Sequence, residues 1–209
     1  GVLASPASAG FTVPPNKPGD FAPRDECSSL PGVGALIAAL REAVARRDAR
    51  ALAGLASDDV LLDYDGGAGR AELVKRLSGA EGGALWRELD QVLALGCARF
   101  EDGDIVLPWI FAQDLGDVDP YDAVLATGRD VPLFRKPGMK GKPFARLNWQ
   151  LVVHQSGVKT PGGVMRVSAI SSPLEGYAPA ARLRSIIGYR LTASRKGDGW
   201  KVTAFIAGD

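Results

Sequence analysis

The sequence predicts an α+β fold: a helical and antiparallel β body, with a small β-barrel toward the C-terminus. Three observations lead there. Apolar residues recur at helical spacing in four segments before Gly96. From Cys97 onward, short runs alternate apolar and polar residues between Gly, Pro and Asp turns, which is strand periodicity. The last runs, Ile187 to Ser194 and Trp200 to Ile206, are joined by Lys196-Gly197-Asp198-Gly199, a hairpin connection. Helices gathered before strands, rather than alternating with them, are the α+β order.

The elements follow in sequence. Val2 to Ala9 has the form of a secretory leader's tail, with Ala7-Ser8-Ala9 as a small-x-small cleavage site after Pro6. An exported protein, periplasmic or secreted, is therefore expected. Pro14-Pro15, Pro18, Pro23 and Pro31 forbid regular helix, so residues 1–31 read as leader remnant and extended linker. Leu36, Ile37, Leu40 and Val44 form a helical stripe, and Asp48 is placed to cap a second helix over Ala49 to Ala56. Val60 to Tyr64 is a short strand. Helices are expected at Arg70 to Leu77 and at Ala84 to Leu95, the second stopped by Gly96. Cys97 to Phe100 and Ile105 to Phe111 form a hairpin, with Pro108 implying an edge or a bulge. An acidic loop runs from Asp114 to Asp122, and Tyr121 to Leu125 is a short helix or strand. The boundaries expected are an α+β domain over 32–127, a barrel over 128–185, and a hairpin over 186–209 that pairs with the Cys97–Phe111 strands and completes the first domain.

Two stretches resemble known families. Val131-Pro132-Leu133-Phe134-Arg135-Lys136-Pro137, Phe144 to Val153, Val164 to Ser168 and Gly176-Tyr177-Ala178 occur in the order of the strands of bacterial SH3-like (SH3b) domains. The alternation of Leu147, Trp149, Leu151 and Val153 points one face of a single strand inward, and Gly176 supplies a bend that carries Tyr177 across the barrel end. This resemblance implies an SH3-like barrel over about 131–183 whose surface binds a peptidoglycan fragment or a protein peptide. The tryptophan usual before the fourth strand is replaced around Val164-Met165, so polyproline binding is not carried over. Ala45 to Leu52, followed by Asp58-Asp59-Val60, is similar to the helix-to-strand opening of the nuclear-transport-factor-2-like superfamily.

Composition narrows function further. With 25 basic and 24 acidic residues the net charge is +1, which gives no general attraction to nucleic acid or anionic lipid. The single histidine, His154, has no nucleophile motif beside it. Gly66-Gly67-Ala68-Gly69 lacks the lysine and hydroxyl of a phosphate loop and reads as a turn. The spacing of Asp114, Asp117, Asp119 and Asp122 does not fit a calcium loop. No cofactor, metal or transmembrane segment is expected, and nothing indicates an oligomeric state. Cys27 and Cys97 pair as a disulfide if the chain is exported, or pack as buried thiols otherwise. Phe134, Arg135, Trp109 and Tyr177 are the candidate ligand-binding residues, lining a groove between barrel and body. The reading is a non-catalytic exported binding or scaffold protein. The alternative is a cell-envelope hydrolase using paired carboxylates near Asp63 and Asp65.

Overall fold

A computed structural model describes residues 17–170 and 172–208. The leader-like motif and the first part of the proline-rich segment lie outside the described residues.

Helix α1 (Val33–Ala45) buries its Leu36, Ile37, Leu40 and Val44 stripe. α2 (Ala49–Gly54) is capped by Asp48, whose carboxylate accepts the Ala51 N–H at 2.9 Å. Strand β1 (Ala56–Leu61) starts four residues before the strand the sequence predicts over Val60 to Tyr64. It pairs in parallel with the last strand, Ala56 opposite Val202, and this long-range pairing overrides the local turn preference of Ser57-Asp58-Asp59. α3 (Arg70–Ser78) and α4 (Gly82–Ala94) follow. β2 (Ala98–Arg99) and β3 (Ile105–Leu107) form the expected hairpin. The ladder stops at Leu107 because Pro108 has no N–H to donate, and Trp109–Ala112 turns as 3₁₀ helix. The last two strands, β11 (Arg190–Lys196) and β12 (Gly199–Ile206), complete a sheet of order β1-β12-β11-β3-β2. β11 lies antiparallel to β3, with Leu191 opposite Leu107.

A second sheet is built from the chain between these parts. It comprises β4 (Ala123–Ala126), β7 (Leu151–His154), β8 (Val164–Ala169), β9 (Glu175–Pro179) and β10 (Leu183–Ser185), in the order β10-β4-β7-β8-β9. A separate ribbon pairs β5 (Val131–Leu133) with β6 (Ala145–Leu147).

Period-two alternation divides the interior into three cores. In β3, Ile105 and Leu107 face the helices, while Val106 faces the second sheet. In β4, Ala123 and Leu125 meet that middle core, and Val124 and Ala126 face the ribbon. The layers are thus helices, first sheet, second sheet and ribbon. Every residue of β3 and β4 is buried.

The strands over 131–183 do not close into the barrel expected there, and the longest expected strand is broken. The alternation predicts one strand through Leu147 to Val153, but Asn148, Trp149 and Gln150 interrupt it, with Trp149 at φ 46° in the left-handed region. Leu147 therefore packs under the ribbon and Leu151 in the middle core, so the two halves serve different sheets. Trp149 packs against the middle core and not inside a barrel. Among the described residues, the β-bridge between Phe134 and Tyr177 is the only strand pairing from the ribbon to the second sheet, beside their shared apolar core, and the strands stay open.

The proline-rich segment is a strap in its described part. Gly19 and Phe21 donate backbone bonds to Asn148 and Trp149 at 2.6 and 3.1 Å, and Phe21 is buried in the middle core. Farther on, Cys27 is bonded to Cys97 as a disulfide. The strap thereby spans both sheets. The two cysteines are 70 residues apart, so breaking the bond restores a large loop entropy to the unfolded chain. Replacing both with alanine is expected to cost about 2–4 kcal/mol, seen as a lower denaturant midpoint; an unchanged midpoint would show that the strap is already held by its other contacts.

Candidate functional site

 The hairpin loop between β5 and β6 forms an open groove of about 600 Å³. Its loop curls because Met139 donates back to Lys136 at 3.1 Å, and because Met139 and Gly141 take left-handed backbone angles, φ 46° and 82°. Phe134, Arg135, Lys136, Pro137, Lys140, Lys142 and Phe144 line the hollow. The Arg135 guanidinium lies 4.3 Å from the centre of the Phe144 ring, which orients it over an apolar floor. Among the described residues, none of Arg135, Lys136, Lys140 and Lys142 is in a salt bridge. Four like charges around two phenylalanines form a local positive field on a nearly neutral protein.

The groove is held from behind by Gly176. A Cβ there would lie 2.7 Å from the Phe134 carbonyl and 3.0 Å from the Phe144 ring, so only glycine lets β5 approach β9. Phe134 and Tyr177 exchange two backbone bonds of 2.8 Å at that point.

Of the candidate binding residues, Phe134 and Arg135 are in the groove. Tyr177 supports it through its backbone, while its ring lies under Arg166, 5.8 Å from the cation. Trp109 is elsewhere: it is buried in the middle core, donates to Glu26 at 2.7 Å and carries Arg24 at 4.7 Å over its ring. The groove therefore lies on one hairpin, not between two domains. The three lysines and Phe144 were missed. The signal for them is local: Arg135, Lys136, Lys140, Lys142 and Arg146 fall between Val131 and Leu147 with no acidic residue among them.

A cleft of about 250 Å³ opens where α3 and α4 meet the first sheet, floored by Leu62, Leu73 and the stacked rings of Tyr189 and Phe205, 4.7 Å apart. Arg76 spans its mouth, donating to Asp63 at 2.5 Å and to Glu72 at 2.9 Å. These bonds hold both carboxyls below their ordinary range, while burial pushes the Tyr189 hydroxyl up. The other Asp63 oxygen accepts the N–H groups of Gly67 and Asp65, at 2.7 and 2.9 Å. Asp63 thus caps the Gly66-Gly67 turn and pairs with Arg76. An ionised carboxylate so engaged is poorly suited to give or take a proton. His154 sits half-buried at the end of β7, its backbone N–H on the Asp122 carbonyl at 2.7 Å. In the acidic loop, Asp114 and Asp119 accept the N–H groups of Gly116 and Tyr121. Among the described residues no cluster of three or more His, Cys, Asp or Glu is placed to hold a metal, and no helix is long and apolar enough to cross a membrane.

No family model matches the sequence, and no curated protein matches it. A similar solved structure is that of an NTF2-like protein with a cystatin-like fold from Novosphingobium aromaticivorans. It is 17% identical, the match covers 84% of this chain and 77% of that one, and the TM-score is 0.28. A likeness at that level does not establish a family.

Two outcomes are expected. Gly176→Ala forces β5 from β9 and costs about 1–3 kcal/mol, read by thermal unfolding; a variant as stable as the parent would refute the close approach. Asp63 has a lowered folded pKa, so its contribution is present above the ordinary value of 3.8 and is lost as pH falls through the folded value. Asp63→Asn should therefore flatten the decline of stability with acid below that pH, and an identical pH profile would count against the Arg76 pair.

Proposed function

We propose that this is a non-catalytic, exported binding protein that holds an acidic chain segment in the hairpin groove, with the carboxylate-bearing stem of a cell-wall glycopeptide as its ligand. The observation that carries this reading is the set of four cations, free of salt bridges among the described residues, around Phe134 and Phe144. Such a surface attracts carboxylates at several points, while the rings and Pro137 accept methyl groups and sugar faces. Each exposed ion pair contributes only about 0–1 kcal/mol, so affinity comes from several acting together and weakens with salt. The polar side chains that line it are the Arg135 guanidinium and the amines of Lys136, Lys140 and Lys142, groups suited to holding carboxylates. Export is supported by the Cys27–Cys97 disulfide, a bond that persists in oxidising compartments, and by the leader-like N-terminal motif. A hydrolase centred on Asp63 and Asp65 is the weaker reading, because Asp63 is committed to Arg76 and to its turn.

Calorimetric titration with a soluble disaccharide–peptide fragment tests the proposal. Binding is expected to fall as salt is raised, and to drop at least about tenfold when Lys136, Lys140 and Lys142 are all changed to Gln. A fragment with its carboxyls amidated should bind far more weakly. Equal binding of both fragments, or full affinity in the triple variant, would refute it.

A further inference from the structure

A second groove, outside the site described above, lies between the strap and helices α1 and α4. It has a volume of about 380 Å³, and its accessible apolar lining is Pro23, Ala45 and Ala94. Four charged side chains reach it: Arg24, Arg41, Asp25 and Asp90.

The acids there are already engaged. Asp90 receives both arms of Arg47, at 3.1 and 2.6 Å. Asp25 accepts the N–H groups of Cys27 and Ser28 at 3.0 and 2.9 Å and the Ser28 hydroxyl at 2.5 Å. The arginines keep more of their donors free, although the Arg41 charge is felt by Asp25 and helps to hold its carboxyl low. Arg24 makes one long bond to the Asp20 carbonyl, 3.4 Å, and stacks on Trp109. Arg41 makes one long bond to the Leu93 carbonyl, also 3.4 Å. Among the described residues neither is in a salt bridge. A guanidinium has five donors in a planar fork, so most of the donors on both residues are available to a ligand.

The charge count sets the ligand's valence. Arg47 offsets Asp90, leaving two arginines against Asp25, a net charge of +1. A single carboxylate balances that, whereas a second anionic group would meet Asp25. The wall carrying Arg24 is fixed in place: Cys97 donates to the Arg24 carbonyl at 2.8 Å, and Glu26 donates to the Cys97 carbonyl at 2.9 Å. Gly96, at φ 81°, admits this approach, since a Cβ would lie 2.2 Å from the Arg24 carbonyl.

We propose that this groove binds a small aliphatic monocarboxylate, its headgroup held by Arg24 and Arg41 and its hydrocarbon body lying on Pro23, Ala45 and Ala94. The full chain with its disulfide intact is titrated with hexanoate, and amide NMR shifts are followed. Saturable shifts at Gly96 and Arg41 are expected, with a dissociation constant of roughly millimolar for so small a probe. Hexanamide and hexylammonium, which keep the body and lose the negative charge, should give no saturation, and adipate, with its second carboxylate, should bind more weakly. Arg41→Gln and Arg24→Gln should each weaken hexanoate at least about tenfold, with Arg41→Lys intermediate because it keeps the charge but not the fork. Hexanoate binding that survives both Gln substitutions, equal binding of hexanamide, or no saturation by hexanoate overturns the assignment.

Discussion

The structure depends on a strand that is buried on both faces. Ile105, Val106 and Leu107 of β3 are each at most 2% exposed, with the outer two under the helices and Val106 against the second sheet. Fully burying an aliphatic side chain contributes about 1.5–3 kcal/mol. A sheet with two apolar faces cannot rest in water on either side, so the second sheet is required by the first. β4 repeats the arrangement one layer out, with Leu125 facing inward and Val124 facing the ribbon.

Polar ties then lock the layers in register. Arg184 on β10 is 7% exposed and donates to Glu88 and Gln91 of α4 and to the Tyr189 carbonyl. A buried guanidinium is tolerated only when its donors are met, so this residue holds the outer sheet at one position over the helices. Arg190 is equally buried and reaches Gly208 and Tyr64 while stacking on Phe111. The strap adds the disulfide on one side and Phe21 on the other. Both grooves are products of this scheme: one on the outermost ribbon, the other where the strap crosses the helix pair.

Local chemistry was legible where an element's own residues decide its shape. The α1 stripe, the Asp48 cap, the Gly66-Gly67 turn and the final hairpin all follow from nearby side chains. Elements decided by distant partners were misread. β1 begins at Ala56 because β12 pairs there. Leu147 to Val153 has the alternation of one strand, yet Trp149 turns the backbone where the strap's Phe21 bonds to it. Trp109, a candidate ligand-binding residue by its place beside Pro108, is buried, and the strap's Glu26 and Arg24 cover it.

The candidate sites divide in the same way. The basic run from Arg135 to Arg146 is visible in the sequence, and so is its content of phenylalanine and glycine. That these side chains enclose one hollow follows from Gly176 admitting β5 against β9, a contact between residues far apart in the chain. By itself the sequence determined the α+β class, the helical and strand periods, the caps and the capacity of Cys27 and Cys97 to pair. The tertiary structure alone decided that the late strands stay open, that the proline-rich segment is a strap, and which cations lack a carboxylate partner. The physical reason is that periodicity and turn chemistry act over a few residues, whereas layer order, strand partners and charge pairing depend on which distant surfaces are buried together.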